Sequence, residues 1–312
     1  MRIKALLLQF SRVLALFVLS LGIASLSPNF LKATNLINVV RQASPQIIMA
    51  IGMTVVFLTG GIDLSMGSAT TLVSIVTAFA MVRMDVHWVL AILAALLVGA
   101  LSGLANGLLI AKVKLPPPVA TYGMLWIGRG LAFAIMGATP IFGFPEAFRY
   151  IGVGYLAGIP MPIWIMLAIA VLVGLFLNFT TLGRSFYALG GNAAAARASG
   201  IPVDRVLIYV YVISGLMAAV AGVILCARLG AVDQNLGAPF LLPAIASPVM
   251  GGTSMTGGQG GVAGAIVGSL MMVVVTNGMN LLRISSLWQQ FVVGLVVVLA
   301  VWLDGVVKQK QM

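Results

Sequence analysis

The sequence predicts an all-α integral membrane protein of about ten transmembrane helices, some short or broken, with both termini cytoplasmic. Three observations carry this expectation. Of the 312 residues, 61% are hydrophobic and only 7% charged, where soluble domains carry about a quarter charged. The apolar residues come in runs close to the roughly 20 residues that one bilayer crossing takes. The charged residues fall singly between those runs instead of clustering. A soluble fold of this length could not bury so much apolar surface, whereas in lipid that surface needs no cover.

In chain order the apolar stretches are residues 5–26, 43–59, 64–82, 88–110, 118–138, 163–179, 206–226, 238–252, 261–282 and 286–303. The first follows Met1-Arg2-Ile3-Lys4 and imitates a signal peptide. No small-residue cleavage site follows it, so it is expected to stay as a first helix. Stretches 43–59 and 238–252 are short and interrupted by Pro or Gly, which predicts broken or steeply placed helices. Gly99, Gly103 and Gly107 fall on one helical face, as do Gly264 and Gly268. Such faces let backbones close up where lipid supplies no hydrophobic drive, and they read as packing surfaces rather than sites. The whole of 1–312 is expected to be one domain, with a cytoplasmic loop at 183–205 within it.

Orientation follows from Lys and Arg, which collect on the cytoplasmic side. With both termini inside, Arg2, Lys4, Arg12, Lys112, Lys114, Arg184, Arg197, Arg205, Lys308 and Lys310 are cytoplasmic. Lys32, Arg41, Arg83, Arg149, Arg228 and Arg283 then lie outside, and the longer inside set favours this placement.

The formal net charge of +11 invites a nucleic-acid partner, but scattered single cations argue against one. A single cysteine, Cys226, and a single histidine, His87, exclude a disulfide framework and a Cys/His metal site. No metal and no cofactor is therefore expected, and Cys226, inside an apolar run, reads as a packed, inert thiol.

Four segments stand out. Gly60-Gly61-Ile62-Asp63-Leu64-Ser65 sets an acidic residue, one of six in the chain, between apolar runs with glycines where a helix should continue. Non-helical backbone at membrane depth lines a cavity or packs inside protein, and a carboxylate there is costly enough to imply a role. Asp63 is a candidate cap for the helix that follows, a role compatible with a pathway or gating function. Gly251-Gly252-Thr253-Ser254 begins a second segment, running to Gly260, that echoes the first; paired interruptions of this kind mark the pathway or moving parts of transporters. Neither is a phosphate loop, since the Gly-Lys-Ser/Thr ending is missing. In the inside loop, Asn192 is a good N-cap, 193–199 a strong helix former, and Gly200 with Pro202 a stop signal, predicting a helix of about seven residues, roughly 10 Å long. Arg129, in Gly128-Arg129-Gly130, needs an intramembrane partner or a watery cavity, and Asp63 is a candidate partner.

Together these segments resemble the permease subunits of bacterial ABC importers for monosaccharides, of the ribose, arabinose and xylose type. The resemblance is carried by 60–68, by 116–129, by Tyr187-Ala188-Leu189-Gly190-Gly191-Asn192 with Arg197-Ala198-Ser199-Gly200-Ile201, and by 244–258, and it extends from about residue 28 to the C-terminal lysines. It implies a homodimeric or heterodimeric pathway in the bacterial inner membrane, fed by a periplasmic or lipid-anchored solute-binding protein. It also implies ATPase subunits docked from the cytoplasm on the short-helix loop at Gly190, Gly191, Asn192, Ala195, Arg197, Ser199 and Gly200. ATP chemistry would belong to that partner, so this chain is not expected to be an enzyme.

Two departures from the family matter. Relatives often carry an acidic residue just after Gly-Gly-Asn, where this chain has alanines at 193–196, so docking there rests on Arg197, backbone and shape. Pro248 stands where relatives usually have a small or apolar residue. Outside, Lys32, Arg41, Arg149, Arg228 and Arg283 outnumber Asp85, Glu146 and Asp233, which suits an acidic rim on the binding protein. Tyr122, Trp126, Phe142 and Trp164 offer either stacking faces for sugar rings or interfacial anchors. Two alternatives stay open: a branched-chain amino-acid permease of the same broad architecture, and an ion-coupled secondary transporter using Asp63.

Overall fold

The structure, a computed structural model, describes residues 2–137 and 139–309, with every side chain there except those of 2–11, 286, 300, 301 and 303–309. Ala138 and Lys310, and the side chains of Arg2, Lys4 and Lys308, lie outside what it describes.

The element order is α1 (Arg2–Leu26), α2 (Ala33–Leu58), α3 (Met66–Val82), α4 (Trp88–Ala111), α5 (Pro117–Met136), β1 (Ile141–Phe142), α6 (Glu146–Val153), β2 (Tyr155–Leu156), β3 (Ile159–Pro160), α7 (Met161–Phe179), α8 (Thr181–Gly191), α9 (Ala193–Ala198), α10 (Val203–Leu229), β4 (Ala231–Val232), α11 (Ala238–Met250), α12 (Val262–Leu281) and α13 (Ser286–Gln309). Each predicted apolar stretch is helical over most of its described length. Among the described residues, α2, α4, α5, α7, α10 and α12 are long and apolar enough to cross a membrane. The expectation of an all-α chain is corrected by two small antiparallel pairs, with Ile141 opposite Val232 and Tyr155 opposite Pro160. They fasten the connections rather than form a sheet.

One expected broken helix is not broken. The stretch 43–59 is the larger part of α2, which starts ten residues earlier and runs through Pro45. Its polar first turns are helical because their side chains find partners: Asn35 and Asn277 exchange amide hydrogen bonds at 3.1 Å, and Arg41 donates to Asn38 at 2.8 Å. Proline removes one backbone donor, and the burial of every residue from Ala43 to Leu58 offsets that loss. α11 is short, as expected, with Pro243 and Pro248 inside it.

α2 and α10 form the buried centre, and α4, α5 and α7 stand at the periphery with most of their surface open. The glycine faces are packing faces. A Cβ on Gly99 would lie 2.5 Å from the Gly215 carbonyl oxygen of α10, one on Gly103 would overlap that of Tyr211, and one on Gly107 would meet Ile208 Cα at 2.8 Å. Gly264 and Gly268 let α12 close against Gly251 and Ser247 in the same way. Cys226 is fully buried in α10.

Candidate functional site

The paired glycines are helix stops. Gly60 takes a left-handed φ of +73°, its N–H donating to Phe57 and that of Gly61 to Val56. This is the Schellman pattern, in which a residue without Cβ turns the chain while closing orphan carbonyls. Gly252 repeats it at the end of α11 with φ +82°, the donors there being Gly252 to Val249 and Thr253 to Pro248. Gly200 repeats it again after α9, with φ +82° and bonds from Gly200 to Arg197 and Ile201 to Ala196. The echo between the first two segments thus has a physical cause, a shared way of ending a helix. Arg12 of α1 reinforces the second stop, donating to the Gly251 carbonyl at 2.7 Å.

The three segments meet at one place. Gly258 N–H donates to the Leu58 carbonyl at 3.0 Å, joining the loop after α11 to the end of α2. Gly190 of α8 is pressed onto that joint: a Cβ there would overlap the Leu58 oxygen, with Gly258 N at 2.5 Å and Gly257 Cα at 2.9 Å. Gly191 next to it has open space. Tyr187, one turn earlier, donates to the Gly260 carbonyl at 3.2 Å; burial pushes its phenol up from the usual range, keeping it a donor. The loop closes on itself through Ser254 N–H to Gln259 and the Ser254–Thr256 hydroxyl pair at 2.9 Å, while Thr253 is fully buried beside Gly260.

From this glycine hub the chain rises into the bundle. Asp63 is 2% exposed. Its Oδ1 accepts from Ser65 N–H at 2.9 Å and Ser65 Oγ at 2.6 Å, and its Oδ2 accepts from Ser214 Oγ of α10 at 2.6 Å. Ser65 Oγ in turn accepts from Asn106 Nδ2 of α4 at 2.7 Å. Ser214 lies eleven residues into α10, roughly 16 Å along its axis. The carboxylate therefore holds α3 so that it starts well inside the bundle. Asp63 organises that start from two residues before the N-cap, Ser65, whose own side chain makes no cap bond.

The expected Asp63–Arg129 pair is not formed. Arg129 donates to Asn235 Oδ1 at 3.3 Å and stacks on Trp126, with Cζ 5.5 Å from the ring centroid. The physical reason is that hydroxyls from α10 and from Ser65 already surround the carboxylate, while Arg129 faces the segment leading into α11. The short helix is α9, six residues rather than seven, with Ser199 as C-cap; Asn192 Oδ1 accepts from Ala195 N–H at 2.9 Å, as its N-cap role requires. Ala196 is buried and anchors it, while Ala193, Ala194, Ala195 and Arg197 are exposed. The remainder of 183–205 is largely α8, so the loop is a pair of helices. Among the cations expected outside, Arg41 and Arg228 are half-buried rather than free on a rim. Asn106, Ser214 and Asn235 escaped the sequence reading. A polar residue inside an apolar run was the signal for the first two.

An apolar helical bundle with non-helical, polar backbone held in its interior has the make-up of a multi-pass membrane protein. The chain belongs to the family described as branched-chain amino acid transport system / permease component, which it matches over residues 35–301. It is 41% identical over 306 residues to ribose import permease protein RbsC of Escherichia coli, covering 97% of this chain and 95% of that one. It is 42% identical over 293 residues to the protein of the same name in Bacillus subtilis, covering 93% and 91%. Against D-allose transport system permease protein AlsC of Escherichia coli the figures are 35% over 298 residues, covering 95% and 91%. No solved structure matches the chain. The resemblance expected from the segments is borne out, and the chain is a multi-pass permease component of the bacterial inner membrane.

Proposed function

We propose that this chain forms the membrane pathway for a monosaccharide in an ATP-binding-cassette importer, with ATP hydrolysed by a separate subunit. The observation that carries the reading is the joint of Gly190, Leu58 and Gly258, which ties an exposed, capped helix to the ends of two buried elements. A partner pressing on α9 would move α8, and α8 bears directly on α2 and on the loop after α11. Beside α9 lies a groove of about 490 Å³ lined by Lys112, Lys114, Arg197, Asp204 and Arg205, so Lys112 and Lys114 share a surface with Arg197 of α9. Its cations outnumber Asp204, which Lys112 and Lys114 pair at 3.3 and 2.7 Å, and this suits an acidic cleft on the ATPase.

The solute is assigned from the relatives that match nearly end to end, whose names specify ribose and allose, over the amino acids of the family description. Asp63 serves structure or gating, not ion coupling, because its two oxygens are already held by three donors. The importer reading is tested in vesicles carrying the chain, its ATPase and its binding protein. Uptake of D-ribose or D-allose should require ATP and survive collapse of the proton gradient, for the wild type and for Asp63→Asn alike. Wild-type uptake that collapses with the gradient at constant ATP would replace this reading with secondary transport.

The chain acts as one domain of ten spans with both termini cytoplasmic, as two copies or beside a second permease, and receives a periplasmic or lipid-anchored binding protein on the outer side. Its ten helical stretches and the charge bias support that topology. In intact cells, an impermeant thiol reagent should label Ala147→Cys near Arg149 from outside and reach Ala194→Cys near Arg197 only after permeabilisation. Labelling of both without permeabilisation would overturn it.

A further inference from the structure

Between α3, α5 and the non-helical segment that leads into α11 lies a cavity of about 100 Å³, lined by Ser68, Thr71, Leu125, Arg129, Gln234 and Asn235. Several observations place it near mid-depth in the bundle. Gly237 N–H of the segment donates to Thr71 Oγ1 at 2.9 Å, in the second turn of α3, the helix whose start Asp63 draws inward. Arg129 lies twelve residues into α5, roughly 18 Å along a helix that crosses about 30 Å of hydrocarbon. Irregular backbone at such depth is tolerated where it is buried in protein or lines water.

The lining combines apolar surface from Leu125, Ala238 and Leu241 with polar side chains, and it carries an uncompensated charge. Among the described residues the ion pairs are those of Asp204 with Lys112 and Lys114, so no carboxylate answers Arg129. Its neighbours are the Asn235 amide and the rings of Trp126 and Phe133. A cation inside a span faces water or a polar ligand. The helix that bears it is unlike its peripheral neighbours. α4, α5 and α7 are all mostly open, but α5 is the least apolar of the three. Its open face presents Tyr122 and Trp126, each 53% exposed, and Gly123 and Gly130 are exposed on the same helix. Interfacial anchoring accounts for the two rings alone, whereas a wet pathway accounts for the rings and the cation beside them together.

We propose that this cavity and the adjoining face of α5 form a binding station for a neutral polyhydroxylated solute on its way through the membrane. The assignment rests on the importer reading and deepens it by locating the pathway wall within this chain. Arg129 supplies donors, the Asn235 and Gln234 amides supply both donors and acceptors, and sugar hydroxyls can be either. Gln234 is held by its Nε2 on the Gly137 carbonyl at 2.9 Å, which leaves its amide oxygen as an acceptor. Trp126 offers the apolar ring that sugar C–H faces favour. The enclosed space holds a few waters at about 30 Å³ each and falls short of the roughly 300 Å³ of a complete small-ligand pocket. The cavity therefore takes one edge of the sugar, while the ring lies along the open α5 face.

The test uses the reconstituted complex with Ser68→Cys, in which the native Cys226 is buried and silent. During ATP turnover a charged methanethiosulfonate should modify Ser68→Cys and block uptake, while Leu172→Cys, 62% exposed on the periphery of α7, stays unmodified. Saturating D-ribose or D-allose should slow the reaction at Ser68→Cys, and L-leucine should not. Arg129→Gln combined with Asn235→Ala should cut uptake about tenfold, the effect of one or two hydrogen bonds to the solute, with binding-protein-stimulated ATP hydrolysis retained. A Ser68→Cys that is unreactive, or equally reactive with and without the sugars, in vesicles whose wild-type complex imports them, overturns the station alone. Failure of the wild-type complex to import either sugar overturns the importer reading beneath it.

Discussion

Replacing Gly190 by alanine should abolish ATP-driven uptake, while the same change at Gly191 should leave uptake within about twofold of wild type. The two residues are neighbours on α8 with opposite surroundings: a Cβ at 190 would occupy the position of the Leu58 carbonyl oxygen, and one at 191 would meet open space. Relieving the overlap means parting α8 from the end of α2 and from 257–258. Overpacking of this kind typically costs about 1–3 kcal/mol, and the displaced Gly258–Leu58 hydrogen bond adds about 1 kcal/mol. These costs fall on a joint at the end of the bundle, so the buried centre around α2 and α10 should still assemble. The informative measurement is the ratio of solute imported to ATP hydrolysed, in membranes where the variant inserts normally. Gly190→Ala should keep the ATPase bound and hydrolysing yet deliver little solute. Unchanged import at an unchanged ratio would mean that the hub is only a packing contact.

This expectation was only partly legible in the sequence. Each of the three segments announced itself by composition, because glycine pairs and a lone carboxylate are conspicuous in a chain so apolar. Their meeting was not legible, since Leu58, Gly190 and Gly258 are far apart in sequence and the contact is made by backbone atoms that leave no trace in side-chain identity. The paired glycines at 60–61 and 251–252 mark irregular backbone in the sequence, and Gly200 marks a helix stop. Gly60 and Gly252 prove to be left-handed residues that end α2 and α11, as Gly200 ends α9. Gly190 is different, needed for close approach rather than for its dihedral angles.

The helical stretches were legible because apolar runs of this length have few other uses. The start of α2 was not, because Thr34, Asn35, Asn38 and Arg41 dilute its apolar signal while remaining helical through partners such as Asn277, 242 residues away. Asp63 is a candidate partner for Arg129 in the sequence because an arginine inside a span needs a partner or a watery cavity. In the bundle, the hydroxyls of Ser65 and Ser214 satisfy the carboxylate at shorter range than any cation reaches it. An interior rich in Ser and Thr can thus hold a carboxylate without a counter-charge, and no count of charged residues reveals that. Asp63→Ala would leave the Ser65 and Ser214 hydroxyls and the Ser65 N–H short of an acceptor, whereas asparagine keeps the shape and most of the bonds.

The second large effect is expected at Ala195, on the open side of α9. The helix is a rigid body, with Asn192 capping its first turn, Gly200 closing its last, and buried Ala196 fixing it to the protein. Rigidity matters because an element that transmits displacement to Gly190 must not absorb it. Ala195→Asp places a charge on a small-residue surface while leaving the helical backbone possible, since the cap bond uses Ala195 N–H and not its side chain. If α9 seats in a cleft of the ATPase, the desolvated carboxylate should weaken docking by about 2–5 kcal/mol, more so against an acidic cleft complementary to Lys112, Lys114, Arg197 and Arg205. The variant should insert in the membrane as wild type, and ATPase co-purification and uptake should fall together. Ala195→Ser, of nearly the same size and uncharged, should retain both. This pattern separates α9 from the hub: Ala195→Asp loses the ATPase itself, whereas Gly190→Ala keeps it and loses the work it does. Full uptake by Ala195→Asp with the ATPase still bound would reduce α9 to a connection between α8 and α10 and leave Lys112 and Lys114, across the same groove, as the place where the ATPase docks.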